Sequence, residues 1–193
     1  EAFSQIAISS IAAICGKSYV ATALVTRTAT NELQYSSVLI GSEGVCLSQG
    51  QIHHSNRFSW TALSHQIETL DLPFGRVGLV CSDDSIYPET FRLLALAGVE
   101  IACVALEPLQ DWELQTGLLE RSAENRINLL VATAKNDFGP SFATCLQKDF
   151  TVMTPWEERA FDGLLSQPIW SQMPDGENTL RVSLHPAGAA NKE

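Results

Sequence analysis

The residues best placed for chemistry lie in one short run, Cys81-Ser82-Asp83-Asp84-Ser85, between an apolar stretch and Tyr87-Pro88-Glu89. A serine or thiol leaving a strand at a sharp turn can attack a carbonyl if a base removes its proton and a donor holds the oxyanion. His53 or His54 with Asp84 would complete a serine, histidine and carboxylate set, which is defined by geometry rather than chain order. The competing reading is capping: Ser-Asp-Asp-Ser at a strand-to-helix turn satisfies free backbone N–H groups, and that reading is favoured. No metal site is expected, because adjacent His53-His54 and Asp83-Asp84 point in different directions and no i, i+4 pair supports them.

The elements around this run alternate between helix and strand. Apolar residues at Phe3, Ile6, Ala7, Ile11 and Ile14 predict a helix over residues 3–15, closed by Gly16. Residues 19–26 and 33–40 read as strands, with a possible third starting at 45–47. Residues 48–66 are polar, hold three of the four histidines and read as loop. Strands are predicted over 76–81, 100–106 and 129–134, with helices over 89–97 and 112–126 between them. Pro88 suits the first helical position, and Gly98 a left-handed cap. Beyond Lys135 the pattern weakens, with strands possible at 141–146 and 180–184. The sum is one α/β domain over residues 1–193, with a mobile tail at 186–193.

Composition narrows the function classes. The 193 residues carry 12 Lys+Arg against 22 Asp+Glu, a formal net charge of −10, and the cations are scattered. Nucleic acid is therefore not an expected partner, since phosphate contacts need concentrated cations. No apolar run approaches the roughly 20 residues of a membrane span, so no membrane partner is expected either. Five widely spaced cysteines (Cys15, Cys46, Cys81, Cys103, Cys145) read as buried, reduced thiols in a cytoplasmic setting. The first residue is Glu1 rather than Met, so the chain is expected to be a piece of a longer protein.

The stretch GRVGLVCSDDSIYPETFRLLALAGVEIACVAL (75–106) resembles the core of the nitrilase, or carbon–nitrogen hydrolase, superfamily. RSAENRINLLVATA (121–134), NELQYSSVLIGSEG (31–44) and the ending LHPAGAANKE resemble further family segments in the same order. The resemblance implies an αββα sandwich, two β-sheets face to face with helices outside, here without the family's leading strands. It also implies a homodimer or higher assembly, no cofactor, and a catalytic set of glutamate, lysine, second glutamate and cysteine. Aligned without gaps, the nucleophile column falls on Ser82, or on Cys81 if shifted by one residue. Gln51 stands in the lysine place and Asn56 in that of the second glutamate, with Glu68 a weaker match. No lysine lies between Lys17 and Lys135, so no ammonium group is expected at the elbow.

Ser82, Asp83, Gln51, Asn56 and Trp112 are candidates to line a ligand pocket, Trp156 could line it or simply pack, and Glu124 reads as scaffold. The expected function is a catalytically degenerate domain retained for binding a small carboxylate or amide, or for assembly with the rest of its polypeptide upstream. The alternative is an active amidase or nitrilase whose working residues lie upstream or include Cys81.

Overall fold

The structure, a computed structural model, describes residues 2–134, 137–146 and 169–186. Trp156 and residues 187–193 of the expected tail lie outside them. Helix α1 (Ala2–Cys15) ends at Gly16, whose φ of 57° only a glycine adopts freely. Strands β1 (Val20–Arg27), β2 (Leu33–Gly41) and β3 (Gly44–Gly50) follow as an antiparallel sheet in sequential order.

The second sheet has six strands, again in chain order: β4 (Thr69–Leu72), β5 (Gly75–Cys81), β6 (Ile101–Leu106), β7 (Asn128–Thr133), β8 (Phe142–Cys145) and β9 (Ile169–Gln172). Only β5, β6 and β7 run parallel to one another. Parallel neighbours need crossovers, supplied by α2 (Pro88–Leu96) and by a helical stretch whose π-turn Glu113–Gly117 leads into α3 (Leu118–Asn125).

Two cores hold these layers together. Leu39 and Leu47 of the small sheet meet Val77, Leu79 and Ile101 of the large one, with Leu184 against them. On the other face of the large sheet, Val80, Ala102, Val104 and Leu129 pack on Phe91, Leu94, Leu114 and Leu118 from the helical side. Helix α1 lies against the small sheet, so the order is helix, sheet, sheet, helix, the αββα sandwich that the family resemblance implied. Gly78 sets the approach of α2: an added Cβ would come within 2.6 Å of Leu94 Cδ2.

Several local expectations are corrected. Strand β3 runs on to Gly50, three residues into the stretch read as loop, because backbone pairing with β2 continues past the last apolar residue. Residues 180–184 form no strand, yet Leu184 contributes to the inner core. Strand β9 gave little signal in the sequence, since three of its four residues are exposed. The stripe of α1 faces water in large part, with Phe3, Ile6 and Ile14 at 77%, 66% and 83% exposure, while Ser4 and Cys15 are buried. All five cysteines are free, but not all are buried: Cys46 is exposed and Cys103 half-buried. On β3, Leu47 and Gln49 are buried while Cys46 and Ser48 are exposed, the two-residue alternation of a strand with one face covered.

Candidate active site at the Ser82 elbow

Strand β5 presents Val77, Leu79 and Cys81 toward the small sheet, and the chain then turns abruptly at Ser82 into a 3₁₀ turn, Ser82–Ile86. Ser82 has φ of 21°, a conformation non-glycine residues rarely adopt, and is completely buried. Such strained positions persist where the surroundings over-determine them, and they concentrate at functional turns.

The surroundings are polar. Arg57 Nη2 donates to Ser82 Oγ at 3.2 Å and to the backbone carbonyl of Glu107 at 3.0 Å. The same guanidinium forms an ion pair with Asp83, whose carboxylate also accepts from Ser55 Oγ. Ser82 Oγ in turn lies 3.4 Å from Asp83 Oδ1. Burial pushes the Asp83 carboxyl up, but the hydrogen bonds from Arg57 and Ser55 outweigh it and hold the group below its ordinary value. Arg57 is raised, chiefly by its hydrogen bond to Asp83. Its guanidinium also lies 5.4 Å from the Phe58 ring centre, and Phe58 stacks on Tyr35 at 4.2 Å. Desolvation, then the nearby Cys81, pushes the Tyr35 hydroxyl to about 12.

Asp84 is turned toward the opposite end of the same loop. It accepts from the backbone N–H groups of Ile52 and His53 at 2.9 and 2.8 Å, and His53 Nδ1 lies 2.9 Å from its Oδ1. Burial nonetheless raises its pKa. The His53 ring stacks on Tyr87 at 3.8 Å. The aspartate and histidine of a possible triad thus meet, whereas the hydroxyl of Ser82 is bonded to Arg57 and Asp83.

Cys81 points away from this cluster. Its sulfur accepts from Ser37 N at 3.0 Å and donates to the Gln49 carbonyl at 2.9 Å, and burial pushes the thiol up to about 12. A thiol in that state carries almost no thiolate near neutrality. Gln51 is completely buried: its Nε2 donates to the His53 carbonyl at 2.6 Å, and its Oε1 has no hydrogen-bond partner. Asn56 is exposed, and its buried neighbour Ser55 makes the contact to Asp83 instead. Glu68 donates its backbone N–H to Gln49 Oε1 at 2.7 Å and bonds through its carboxylate to Gln66. Trp112 is 41% exposed, and its indole N–H is held by Gln110 at 2.8 Å. Glu124 pairs with Arg121 one helical turn away at 2.5 Å.

Arg57 is the residue that the sequence reading missed. The sequence reading considered only lysine as the cation at the elbow, whereas a guanidinium from 25 residues upstream bonds to Ser82 Oγ. Only its place one residue after Asn56, in the matched loop, offered a hint. A separate cleft of about 1360 Å³ lies between the sheets, lined by Tyr19, Leu39, Leu79, Cys103, Leu130 and Leu184 among others; Ser82 and Arg57 are not part of its lining. Among the described residues no group of three or more His, Cys, Asp or Glu is arranged to hold a metal, and no helix is long and apolar enough to cross a membrane.

Comparison with known proteins bears on the fold. A cysteine-to-serine variant of the amidase from Nesterenkonia AN1, from the nitrilase superfamily, superposes with a TM-score of 0.64 at 16% identity, covering 90% of this chain and 68% of that one. A variant of the amidase from Nesterenkonia sp. AN1, with acrylamide added at its active-site cysteine, gives 0.63 at 18% identity over 74% of this chain. The glutamine-dependent NAD+ synthetase from Acinetobacter baumannii gives 0.63 at 14% identity over 72%. The chain spans 61% of that acrylamide-bearing amidase chain and 29% of the synthetase, and likeness at these identities concerns the fold. Comparison with curated proteins returned no match. The model of the carbon-nitrogen hydrolase family matches residues 10–158, well over half of the sequence, and the chain belongs to that family.

Proposed function

We propose that this carbon–nitrogen hydrolase domain is catalytically silent and is retained to bind a small carboxylate- or amide-bearing molecule, or for assembly within a larger protein. One observation carries the reading: the Arg57 guanidinium holds both Ser82 Oγ and Asp83, while Gln51 stands where the family resemblance places lysine. A serine attacks an amide only when a base takes its proton. The acceptor beside this hydroxyl is Asp83, at 3.4 Å, whose depressed pKa makes it a weak base. Gln51 carries no charge and takes no proton.

Binding is easier to support than turnover. Arg57 keeps 25% of its side chain exposed, and Nη1 has only a loose 3.6 Å contact with the exposed Glu107 carboxylate. A ligand carboxylate replacing Glu107 would meet a guanidinium already positioned, the geometry in which charge-assisted pairs are strongest. Self-association and residence in a reducing cytoplasm complete the proposal.

The second reading, an active amidase or nitrilase, draws on the same cation, because a guanidinium near the nucleophile can hold an oxyanion. One set of measurements separates the two. A silent binding domain gives no release of ammonia from acetamide, butyramide or butyronitrile, and a thermal upshift with acetate, butyrate or butyramide. Saturation at a hundredfold excess over Kd would contribute about 2.7 kcal/mol. Turnover that disappears in Ser82→Ala refutes the silent reading, and no shift with any of these compounds refutes the binding reading.

A further inference from the structure

The segment from Gln51 to Ser64 is a closed Ω-type loop: Ser64 N donates to the Gln51 carbonyl at 2.7 Å, bringing its ends together. Both ends hang on the start of β2. Gln51 N donates to the Tyr35 carbonyl at 3.0 Å, Ala62 N to the Leu33 carbonyl at 2.9 Å, and Tyr35 N to Thr61 Oγ1 at 2.7 Å.

The middle of the loop is held differently. It reaches the elbow through two carboxylates: Asp84 takes Ile52 N, His53 N and His53 Nδ1, and Asp83 takes Ser55 and Arg57. No residue of the loop belongs to either apolar core, and only Gln51 and Ser55 are buried. Its ring contacts, Phe58 on Tyr35 and His53 on Tyr87, lie outside both cores, and a segment outside the apolar cores opens at a fraction of the free energy of global unfolding.

From this we infer that residues 52–57 are a cover that swings as a unit between hinges at Gln51 and at Phe58, which stays stacked on Tyr35, and that Asp83 and Asp84 latch it. Closed, it buries Ser82 under Arg57. Open, it exposes Ser82 while both sheets stay intact. The inference rests on the loop's contacts and is independent of whether the site turns over a substrate.

The test uses alkylation by iodoacetamide in a Ser82→Cys background, the modified thiol assigned by fragment ions because position 82 and Cys81 share a peptide, with exposed Cys46 as the fast reference and buried Cys81 as the marker of global unfolding. His53 bonds to Asp84 and stacks on Tyr87 rather than touching Ser82. His53→Ala should nevertheless speed modification at position 82 about tenfold, the loss of one charge-assisted hydrogen bond, with Cys81 unmodified. The inference falls if Arg57→Ala speeds the reaction and His53→Ala does not, since Arg57 alone would then be the cover. It falls equally if position 82 reacts only in step with Cys81, or as fast as Cys46 before either change. If Ser82→Cys fails to fold, hydrogen exchange on the unaltered chain decides: the Ile52 and His53 amides should exchange well ahead of those in β2 and β5, and exchange at the same rate overturns the inference.

Discussion

Arg57→Ala tests how the elbow is held. The change removes the guanidinium that bonds to Ser82 Oγ, the Glu107 carbonyl and Asp83, leaving the 7%-exposed Asp83 carboxylate with Ser55 as its remaining strong donor. Breaking a fully buried ion pair costs about 3–5 kcal/mol. Because a quarter of the Arg57 side chain reaches water, about 2–3 kcal/mol is expected here. For a domain of this size that corresponds to a fall in Tm of about 4–12 °C at neutral pH.

The pH dependence fixes the cause. In the parent, Asp83 has a depressed pKa, so its contribution is present above the unfolded-state value and is lost as pH falls through the folded one. Without Arg57, burial is the dominant influence and raises that pKa, so acid relieves the penalty by protonating Asp83. The difference in Tm between Arg57→Ala and the parent should therefore shrink as pH is lowered from 7 to 4. Arg57→Lys, which keeps the charge but loses the fork, should fall between them. Scanning calorimetry on the three proteins at both pH values settles the point. An equal difference at pH 7 and pH 4, or a loss below about 1 °C, refutes the coupling of Arg57 to Asp83.

Three other outcomes follow from named contacts. Asp84→Asn has one oxygen for the donors at Ile52 and His53, so urea denaturation should show a loss of about 1–3 kcal/mol. Gln51→Lys places an ammonium in a completely buried site without a carboxylate bonded to it; Tm should drop, and the double change with Ser82→Cys should release no ammonia from butyramide. Gly78→Ala drives a methyl into Leu94 and Val99 and should cost about 1–3 kcal/mol by calorimetry, while an unchanged Tm would refute the close seating of α2 on β5.

Much of this protein was already legible in local chemistry. Alternation along β5 separated Cys81 from Ser82, Pro88 and Gly98 marked the limits around α2, and apolar runs located β6 and β7. These signals are short-range, because strand alternation, helix caps and turn residues are set by neighbouring φ/ψ and side-chain contacts. Tertiary structure decided the rest. The facing of α1 depends on which sheet lies beneath it, a matter that helical spacing leaves open. Strand β9 exists because β8 offers it a ladder, not because its own residues seek burial. Above all, the charge at the elbow comes from a loop 25 residues away, drawn there because a buried Asp83 carboxylate needs a cation and the chain between them folds back to deliver one. Spacing along the chain puts Ser82 at the turn after β5; only the folded path brings Arg57 to it.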